Sequence, residues 1–397
     1  MSAPAAKSPF DVDWGLAGLV LLLLAIGIVM LTSASISVAE NSTGHPFFYL
    51  IQQLTAVGAG ALAAFFVLRT PTGTWERAAP LLLVLAVLLL VAVLIPGVGR
   101  EVNGSTRWLS LAGVNIQVSE PARLMVLMYI SSYAVRHRDD MGASLRDFGR
   151  PMAIIAVICA LLLAEPDFGA TFVMLLISMS VLFIAGVPLR YFVGLCVIVI
   201  LGLTALAVSA PYRLARLTGF TNPWEDPFGS GFQLTQSLIA IGSGEWFGAG
   251  LGNSVQKLFY LPEAHTDFVF AVIAEEFGLV GAVVLIALYS LLVWRAITIA
   301  LDAASRERFF QAYLAFGIAV WQGAQVFINM GVNMGILPTK GLTLPLVSYG
   351  RSSLIITLAA LALLLRIDME NRGLESRAVD RGRSRKSRKA SQRSKRK

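Results

Sequence analysis

The 397-residue chain is 56% hydrophobic, carries a charge at only 14% of its positions and has a mean hydropathy of +0.72. This composition excludes an ordinary soluble domain and an intrinsically disordered chain, because both need a larger polar fraction to face water. Ten basic residues lie in the last segment, RGRSRKSRKASQRSKRK, so subtracting them from the net charge of +8 leaves −2 for the rest.

Ten apolar runs follow one another along the chain, and most are long enough to cross the roughly 30 Å hydrocarbon core of a bilayer as a helix. They cover residues 14–34, 47–68, 78–96, 118–135, 151–165, 167–186, 190–209, 266–294, 309–333 and 352–368. The predicted fold class is therefore all-α, a polytopic membrane protein with about ten transmembrane helices. The first run could be a secretory signal, but its apolar core is longer than is typical, so we expect it to be the first span.

The distribution of Lys and Arg predicts the orientation. With both termini in the cytoplasm, the inner segments hold twice as many Lys and Arg residues as the outer segments, as the positive-inside rule requires. This gives a cytoplasmic N-terminus over 1–13, one membrane domain over 14–370 and a disordered basic tail over 371–397. We expect the tail to bind the anionic inner leaflet. Nucleic-acid binding is disfavoured, because no aromatic residues interleave its charges.

The longest outer segment, at about 210–265, is rich in Gly, Pro and aromatic residues. Its middle, FQLTQSLIAIGSGEWFG, predicts an amphipathic helix or a re-entrant piece that ends in glycines. The run GSGEWFGAGLG is a weak phosphate-loop motif, because no Gly-Lys-Ser/Thr follows it. Tight turns are the better explanation for most of these glycines.

Charged residues recur in four segments at the outer edge of the predicted bundle. These are VNGSTRWLSLAGVNIQVSEPARL, with Arg107, Glu120 and Arg123; AEPDFGA, with Glu165 and Asp167; YLPEAHTDF, preceded by Lys257; and LPTKGLTLPLVSYGRSS, with Lys340, Ser348 and Arg351. Charge in a bilayer is costly and persists mainly where it has a function. We therefore expect the four segments to converge on a charged cleft that opens to the outer leaflet.

The outer side of the membrane limits the chemistry of such a cleft. A cell keeps no nucleoside triphosphate pool there, so a group-transfer substrate must carry its own leaving group, as a lipid-linked sugar pyrophosphate does. The basic residues on the outer side run against the positive-inside trend. They are the groups that a departing pyrophosphate would need.

Each acid at a helix start also has a purely structural interpretation. Asp267, Glu120 and Asp167 could each cap the helix that follows by accepting hydrogen bonds from its free N–H groups. Three such acids near basic residues favour a site over three separate caps. Glu275 and Glu276 follow Asp267 by eight and nine residues, so at most one of them shares its helix face. Their expected role is hydrogen bonding between helices.

Cysteine and histidine usage does not predict a metal centre. Cys159 and Cys196 lie within predicted spans, outside any Cys-x-x-Cys pattern, and are interpreted as small apolar core residues. His45, His137 and His265 are far apart in sequence, so no spacing indicates a zinc site.

Taken in order, these segments resemble the SEDS family of shape, elongation, division and sporulation proteins over nearly the whole chain. The stretches that carry the resemblance are VNGSTRW, QVSEPARL, EPDFGAT, NPWEDPFGSGFQLTQSLIAIGSG, YLPEAHTDFVFAVIAEEFG and GVNMGILPTKGLTLPLVSYG. PEAHTDF and LPTKGLTLP favour its division branch. The resemblance implies polymerisation of lipid II on the outer face of the bacterial plasma (inner) membrane at the division septum. Its implied partners are a class B penicillin-binding protein and other divisome membrane proteins.

The resemblance also implies roles for single residues. Asp267 matches the family's essential acid and is the expected catalytic residue. Glu120, Arg123, Asp167, Lys340 and Ser348 match polar positions that line the family's central cavity. Together with Lys257 and His265, which lie in the same outer segments, they are the expected substrate-binding residues. A divalent cation that bridges Asp167 and the pyrophosphate is left open, and no other cofactor is predicted.

The expected chemistry is an inverting displacement, because the donor sugar is α-linked and the product linkage is β-1,4. Asp267, partly desolvated at a helix end, would take the proton from the acceptor's 4-hydroxyl. Arg123, Lys257 and Lys340 would offset the charge of the departing pyrophosphate. Two positions depart from the family pattern: Arg123 stands where many relatives have Lys, and Arg351 stands where Gly is usual.

Two other functions stay open from the sequence. A lipid II flippase should carry its charged groups and broken helices near the membrane midplane, in inverted halves. A non-catalytic divisome scaffold would need no acid at Asp267. Because most polar groups crowd the outer edge, the sequence favours the polymerase.

The topology prediction can be tested by cysteine labelling in a chain whose two native cysteines are replaced by alanine. A cysteine at Ser230 should react with an impermeant reagent in intact spheroplasts, because the long loop faces outward. A cysteine at Ser391 should react only after lysis. The reverse labelling pattern would place the charged cleft in the cytoplasm and contradict the orientation.

Overall fold

The computed structural model describes residues 12–102, 105–111, 114–138, 145–208, 222–229, 231–258, 260–338 and 341–394. The helices in these ranges are α1 (Trp14–Thr43), α2 (Phe48–Arg69), α3 (Thr72–Leu94), α4 (Ser119–Arg136), α5 (Leu145–Ala164), α6 (Phe168–Ile184), α7 (Leu189–Val208), α8 (Phe232–Ser243), α9 (Val269–Ser305), α10 (Phe309–Asn333) and α11 (Arg351–Ser394). An antiparallel sheet has the strand order β1 (Gly99–Val102), β2 (Ser105–Leu111) and β3 (Val114–Gln117).

Each of the ten predicted spans falls on one helix, α1 to α7 and α9 to α11. Among the described residues, six helices are long and apolar enough to cross a membrane: α1, α2, α3, α9, α10 and the Arg351–Gly373 part of α11. The apolar helices Phe148–Ala164 and Phe168–Ile184 are shorter. The predicted all-α, multi-pass membrane fold is confirmed, whereas the count of ten spans stays a prediction.

The outer segment between α3 and α4 forms the three-stranded sheet, which was not predicted from the sequence. In the pairing of β2 with β3, Leu109 lies opposite Ile116 and Trp108 lies opposite Gln117. The backbone N–H of Gln117 donates to Ser352 Oγ at 3.0 Å, which fixes the sheet to the start of α11. The sheet therefore packs at one end of the helix bundle, beside the start of α11.

Helix α10 lies at the centre of the bundle and packs against α4, α6, α9 and α11. A small residue lets α4 approach it closely, since a Cβ atom at Gly317 would lie 2.2 Å from Leu127 Cδ1. Its buried polar residues recur every three or four positions and form one stripe along the helix. We call Gln322, Gln325, Asn329 and Asn333 the amide stripe.

The loop 341–350 runs inside the bundle, and helix side chains donate to its backbone carbonyls. The bonds are Asn329 Nδ2 to Leu342 O (2.7 Å), Gln325 Nε2 to Thr343 O (2.9 Å), Tyr289 Oη to Pro345 O (2.5 Å) and Gln53 Nε2 to Ser348 O (3.2 Å). Helix α1 touches the loop at Gly27, where a Cβ atom would lie 2.3 Å from Leu346 O. Irregular backbone at membrane depth persists only when its polar groups are paired in this way.

Helix α9 is interrupted at Gly278, where φ is 66° and ψ is −164°, a conformation that is essentially restricted to glycine. The segment 245–250, which follows α8, closes the break. Its N–H groups donate to the carbonyls of Glu275 and Glu276, and its carbonyls accept from Leu279 and Val280, at 2.9–3.2 Å. Helix α8 thus covers the predicted amphipathic stretch, and the glycine-rich run after it packs against the broken helix.

Ion pairs gather at the other end of the bundle. The Asp13 carboxylate, just before α1, pairs with Arg295 near the end of α9 and with Arg372 of α11. Glu370 of α11 pairs with Arg308 at the start of α10. These contacts place the start of α1 on the same side as the ends of α9 and of the membrane part of α11, as the orientation with both ends in the cytoplasm requires.

The basic tail is helical in the structure, because α11 continues to Ser394. Its composition had predicted disorder from residue 371. The sequence beyond Gly382 contains neither Pro nor Gly and is rich in Arg and Lys, both of which favour helix. Disorder of the tail in solution stays a prediction.

The break in α9 predicts that Gly278→Ala lowers the unfolding temperature of the purified protein in detergent. The alanine would be held in a conformation that costs about 1–3 kcal/mol, and its Cβ atom would lie 2.5 Å from the backbone nitrogen of Gly248. Gly58→Ala in α2 is the matched control, because the space around Gly58 is open. Equal unfolding temperatures for the two variants would contradict this account of the break.

Candidate active site

Asp267 lies two residues before α9, at the outer end of the amide stripe. Its backbone carbonyl accepts hydrogen bonds from Asn329 Nδ2 at 2.8 Å and from Asn333 Nδ2 at 3.0 Å. Asn329 Nδ2 donates to Leu342 O as well. One amide group therefore joins α10, the approach to α9 and the loop 341–350.

Asp267 does not cap α9. The N-cap residue is Phe268, and no side-chain hydrogen bond to this cap is found among the described residues. Asn333 Oδ1 instead accepts a hydrogen bond from the Ala271 N–H at 3.2 Å. The neighbouring helix α10 therefore pairs one of the free N–H groups in the first turn of α9. The capping interpretation of Asp267 is wrong, and its carboxylate is left for another role.

The carboxylate of Asp267 is half-buried against the loop 341–350. A Cβ atom at Gly341 would lie 3.0 Å from Asp267 Oδ2. Burial raises the pKa of Asp267 to about 7; the negative charge of Glu263 adds to this shift and the positive charge of Arg107 opposes it. A carboxylate with this pKa is well matched to accept a proton near neutral pH.

Asp167 caps α6, as the structural interpretation of the sequence predicts. Its Oδ1 accepts from the Ala170 N–H at 3.0 Å, and its Oδ2 accepts from Ser119 Oγ at 3.2 Å and from Gln117 Nε2 at 3.3 Å. Arg107 Nη1 of β2 lies 3.9 Å from Oδ1. The cap thus joins α6 to the sheet and to α4.

Glu120 and Arg123 form a buried ion pair in α4, with Arg123 Nη1 3.3 Å from Glu120 Oε2. The same nitrogen donates to Gln325 Oε1 at 3.3 Å, and the guanidinium lies 5.2 Å from the centre of the Trp321 ring. Glu120 does not cap α4: the N-cap is Val118, and the described residues show no side-chain bond there. In this conformation the pair joins α4 to α10 and does not face an open cleft.

Lys257 is likewise buried in an ion pair. Its Nζ lies 2.7 Å from Glu276 Oε1 and 2.8 Å from Ser33 Oγ of α1. Glu275 accepts a hydrogen bond from Ser254 Oγ at 2.5 Å. Glu276 accepts a hydrogen bond from Ser33 of α1, which is the interhelical role expected from the sequence, whereas Glu275 binds the segment that precedes α9. Lys257 is the ion-pair partner of Glu276.

The remaining predicted site residues lie around the loop. His265 is buried with its ring 4.5 Å from that of Tyr49, and burial lowers the pKa of His265, so the side chain is neutral at pH 7. Ser348 Oγ accepts from the Leu344 N–H at 2.9 Å and shapes the turn. Lys340 lies outside the residues that the structure describes.

The predicted set of site residues omitted Arg107. Its side chain is 28% exposed, whereas those of Arg123 and Lys257 are 1% and 8% exposed. It lies against Asp167 and its charge acts on Asp267. The NGSTRW motif placed Arg107 at the outer edge, but only the folded structure shows that it lies against Asp167.

No group of three or more His, Cys, Asp or Glu side chains is placed to hold a metal within the described ranges. Both oxygens of Asp167 already accept hydrogen bonds. A divalent cation between Asp167 and a pyrophosphate therefore stays a prediction without structural support.

Comparison with known proteins identifies the family. Residues 14–373 match the model of the cell cycle proteins FtsW, RodA and SpoVE. The chain is 52% identical over 360 residues to the "Probable peptidoglycan glycosyltransferase FtsW" of Legionella pneumophila, covering 91% of each protein. It is 54% identical over 358 residues to the protein of the same name in Thioalkalivibrio sulfidiphilus, covering 90% of each. The chain therefore belongs to this family, which is the one that its sequence resembles.

Solved structures share the fold. A chain of a peptidoglycan synthase complex, described for its structural coordination of polymerization and crosslinking, matches with a TM-score of 0.76 at 34% identity. This match covers 91% of the present chain and 98% of that chain. The rod shape determining protein RodA of Thermus thermophilus matches with a TM-score of 0.67 at 33% identity, covering 90% and 97%.

The amide stripe predicts that Asn329→Leu destabilises the protein while Gln322→Met does not. Leucine would leave the buried Leu342 carbonyl without its donor, at about 1–3 kcal/mol, and would remove one of the two donors to the Asp267 carbonyl. Gln322 is the matched control, because its amide atoms have no hydrogen-bond partner among the described residues. Thermal unfolding in detergent measures both effects. A Gln322→Met variant that unfolds at as low a temperature as Asn329→Leu would contradict the clamping role.

Proposed function

We propose that the protein is a peptidoglycan glycosyltransferase that polymerises lipid II into β-1,4-linked glycan strands on the outer face of the plasma membrane. The relatives at 52% and 54% identity carry the name of this activity. The observation that carries the proposal is Asp267, a half-buried carboxylate with its pKa raised to about 7 and no capping bond to α9.

Asp267 serves as the base in the proposed reaction. It accepts the proton of the acceptor's 4-hydroxyl while that oxygen attacks C1 of the donor sugar. The bond from C1 to the pyrophosphate oxygen breaks on the opposite face, and its electron pair leaves with undecaprenyl pyrophosphate. One displacement thus converts the α-linked donor into a β-linked product. The fixed carbonyl of Asp267 holds the base in one position, which favours such a step.

Arg107 takes the role that was expected of Arg123 and Lys257 from the sequence. Those two cations are buried in ion pairs, whereas Arg107 is partly exposed and its positive charge acts on the pKa of the proposed base. A guanidinium can hold two phosphate oxygens at once, which suits a departing pyrophosphate. Lys340 is a second candidate cation, because it precedes Gly341, which lies against the Asp267 carboxylate.

The proposed partners are a class B penicillin-binding protein and other membrane proteins of the divisome, at the division septum. The similarity to a chain of a peptidoglycan synthase complex supports a partner that performs the crosslinking. The match to a cell cycle protein family supports a role in division.

A lipid II flippase is the second candidate, and the break in α9 at Gly278 favours it, because transporters use broken helices at their substrate sites. The acids next to this break are already paired, however: Glu275 with Ser254 and Glu276 with Lys257. The backbone N–H and C=O groups around the break are hydrogen-bonded to the segment 245–250. A polymerase with its site at Asp267 therefore fits the structure better.

Asp267→Asn should abolish most glycan strand formation by the purified protein with its partner. Loss of a general base costs about 10²–10⁴-fold in rate, while the unfolding temperature should not change, because this carboxylate does not cap α9. Asp302→Asn is the matched control: Asp302 is exposed on the cytoplasmic part of α9 and pairs with Arg306, so its rate should stay within about twofold.

Two results would contradict the proposal. An Asp267→Asn protein that retains more than a tenth of the wild-type rate would show that Asp267 is not the general base. Wild-type protein that moves lipid II across proteoliposomes but makes no strands would favour the flippase.

A further inference from the structure

Two large aromatic side chains are exposed in the segment 245–250, and neither the proposed reaction nor the closure of the break in α9 uses them. Trp246 is 68% exposed and Phe247 is 82% exposed. We call this pair the aromatic tip. Contiguous apolar surface of this kind marks a site of contact with lipid or with another molecule.

Two other tryptophans mark the inner boundary of the membrane. Trp14 and Trp294 are mostly exposed, and they stand next to the two members of the Asp13–Arg295 ion pair. This end of the bundle is the one that the predicted orientation places in the cytoplasm. Tryptophan is enriched at the boundary between hydrocarbon and headgroups. The hydrocarbon core therefore begins near Trp294 on α9.

The aromatic tip lies close to the opposite boundary. Its segment is hydrogen-bonded to α9 beside the break, where the Val280 N–H donates to Trp246 O at 3.2 Å. Gly278 precedes Trp294 by 16 residues, which is about 24 Å along a helix. Because the hydrocarbon core is about 30 Å thick, the tip lies within about 6 Å of its outer boundary.

The surroundings of the tip indicate what covers it. Leu279, Val280 and Val283 of α9 are about half exposed, and apolar side chains exposed on a membrane-spanning helix face lipid. Glu245, just before the tip, is exposed as well. A carboxylate is strongly disfavoured in hydrocarbon but not among the headgroups. These neighbours therefore fit a boundary position, where aromatic rings meet the acyl chains and a charged group reaches water.

We propose that Trp246 and Phe247 anchor the outer segment in the outer leaflet, with their rings at the boundary between acyl chains and headgroups. The partner of this surface is the lipid bilayer itself and not a second protein. The segment 245–250 is hydrogen-bonded to α9 on both sides of Gly278. The anchor therefore also fixes the height of the first part of α9 above the membrane.

This height matters for the proposed base. Val269, the first residue of α9, precedes Trp294 by 25 residues, so it stands about 8 Å above the hydrocarbon core. Asp267 is two residues further and lies near the outer edge of the headgroup layer, which is about 5–8 Å thick. A sugar linked to a lipid through a diphosphate is presented at that level. This consequence rests on the proposed function, whereas the anchor itself does not.

Spin labelling of the full-length protein in phospholipid vesicles tests the anchor. The two native cysteines are replaced by alanine, and a nitroxide is attached to Phe247→Cys protein. Its collision rates with oxygen, which enters hydrocarbon, and with a water-soluble nickel chelate give the depth of the label. The label should lie within about 5–10 Å of the hydrocarbon boundary. Trp246→Cys provides a second position if the Phe247→Cys protein does not fold.

Two matched positions calibrate the depth. Val284→Cys should give a label in the middle of the hydrocarbon, because Val284 is exposed on α9 ten residues before Trp294. Glu40→Cys should give a label in water, because Glu40 is exposed near the outer end of α1.

Three results would overturn the inference. A label at Phe247 that meets the nickel chelate as often as the label at Glu40 would show that the tip faces water. A label as deep as the one at Val284 would place the tip in the hydrocarbon core. A label shielded from both reagents would show that protein covers it. No lipid II is present in this measurement, so a failure of the proposed function would not change its outcome.

Discussion

The Asn329 amide group, which donates at once to the carbonyls of Asp267 and Leu342, is the contact on which the outer end of the molecule depends. It joins three segments that have no regular backbone pairing with one another: the approach to α9, the loop 341–350 and α10. Asn333 extends the same clamp to the first turn of α9. Asn333 of α10 accepts the N–H hydrogen bond at the start of α9 that a capping Asp267 would have accepted. Asp267 is therefore held through its backbone carbonyl, and its carboxylate makes no capping bond.

The cost of burying a charge in a membrane explains why the cations Arg123 and Lys257 are held in ion pairs. Arg123 and Lys257 are buried, and each has a carboxylate partner within 3.3 Å; an isolated buried charge would be far less stable. Pairing makes both residues parts of the scaffold that connects α4 to α10 and the outer segment to α1. Arg107 differs because it stands on β2, where its guanidinium stays partly exposed beside Asp167; the proposed function assigns it to the diphosphate.

The sequence predicted the helices well because an apolar run of about 20 residues has one stable form in a bilayer. It also placed Asp267, Asp167 and Arg107 at the outer edge, and the family resemblance was correct. It did not predict the sheet at residues 99–117, whose short strands give a weak pattern. The pairing of Lys257 and the uncapped state of Asp267 could not be predicted either, because both depend on distant residues, Ser33 for the first and Asn333 for the second. Periodicity and composition do not identify such long-range partners.

The central claim is that Asp267 acts as a base whose pKa is raised to about 7 by burial. The most direct measurement is the rate of glycan strand formation by the wild-type protein between pH 5 and pH 8, at saturating lipid II. Because the base must be deprotonated, the account predicts full activity above pH 7 and a loss of activity as the pH falls through this value, approaching tenfold per unit below about pH 6. A rate that stays constant down to pH 5, as a carboxyl group with an ordinary pKa near 4 would give, would contradict it.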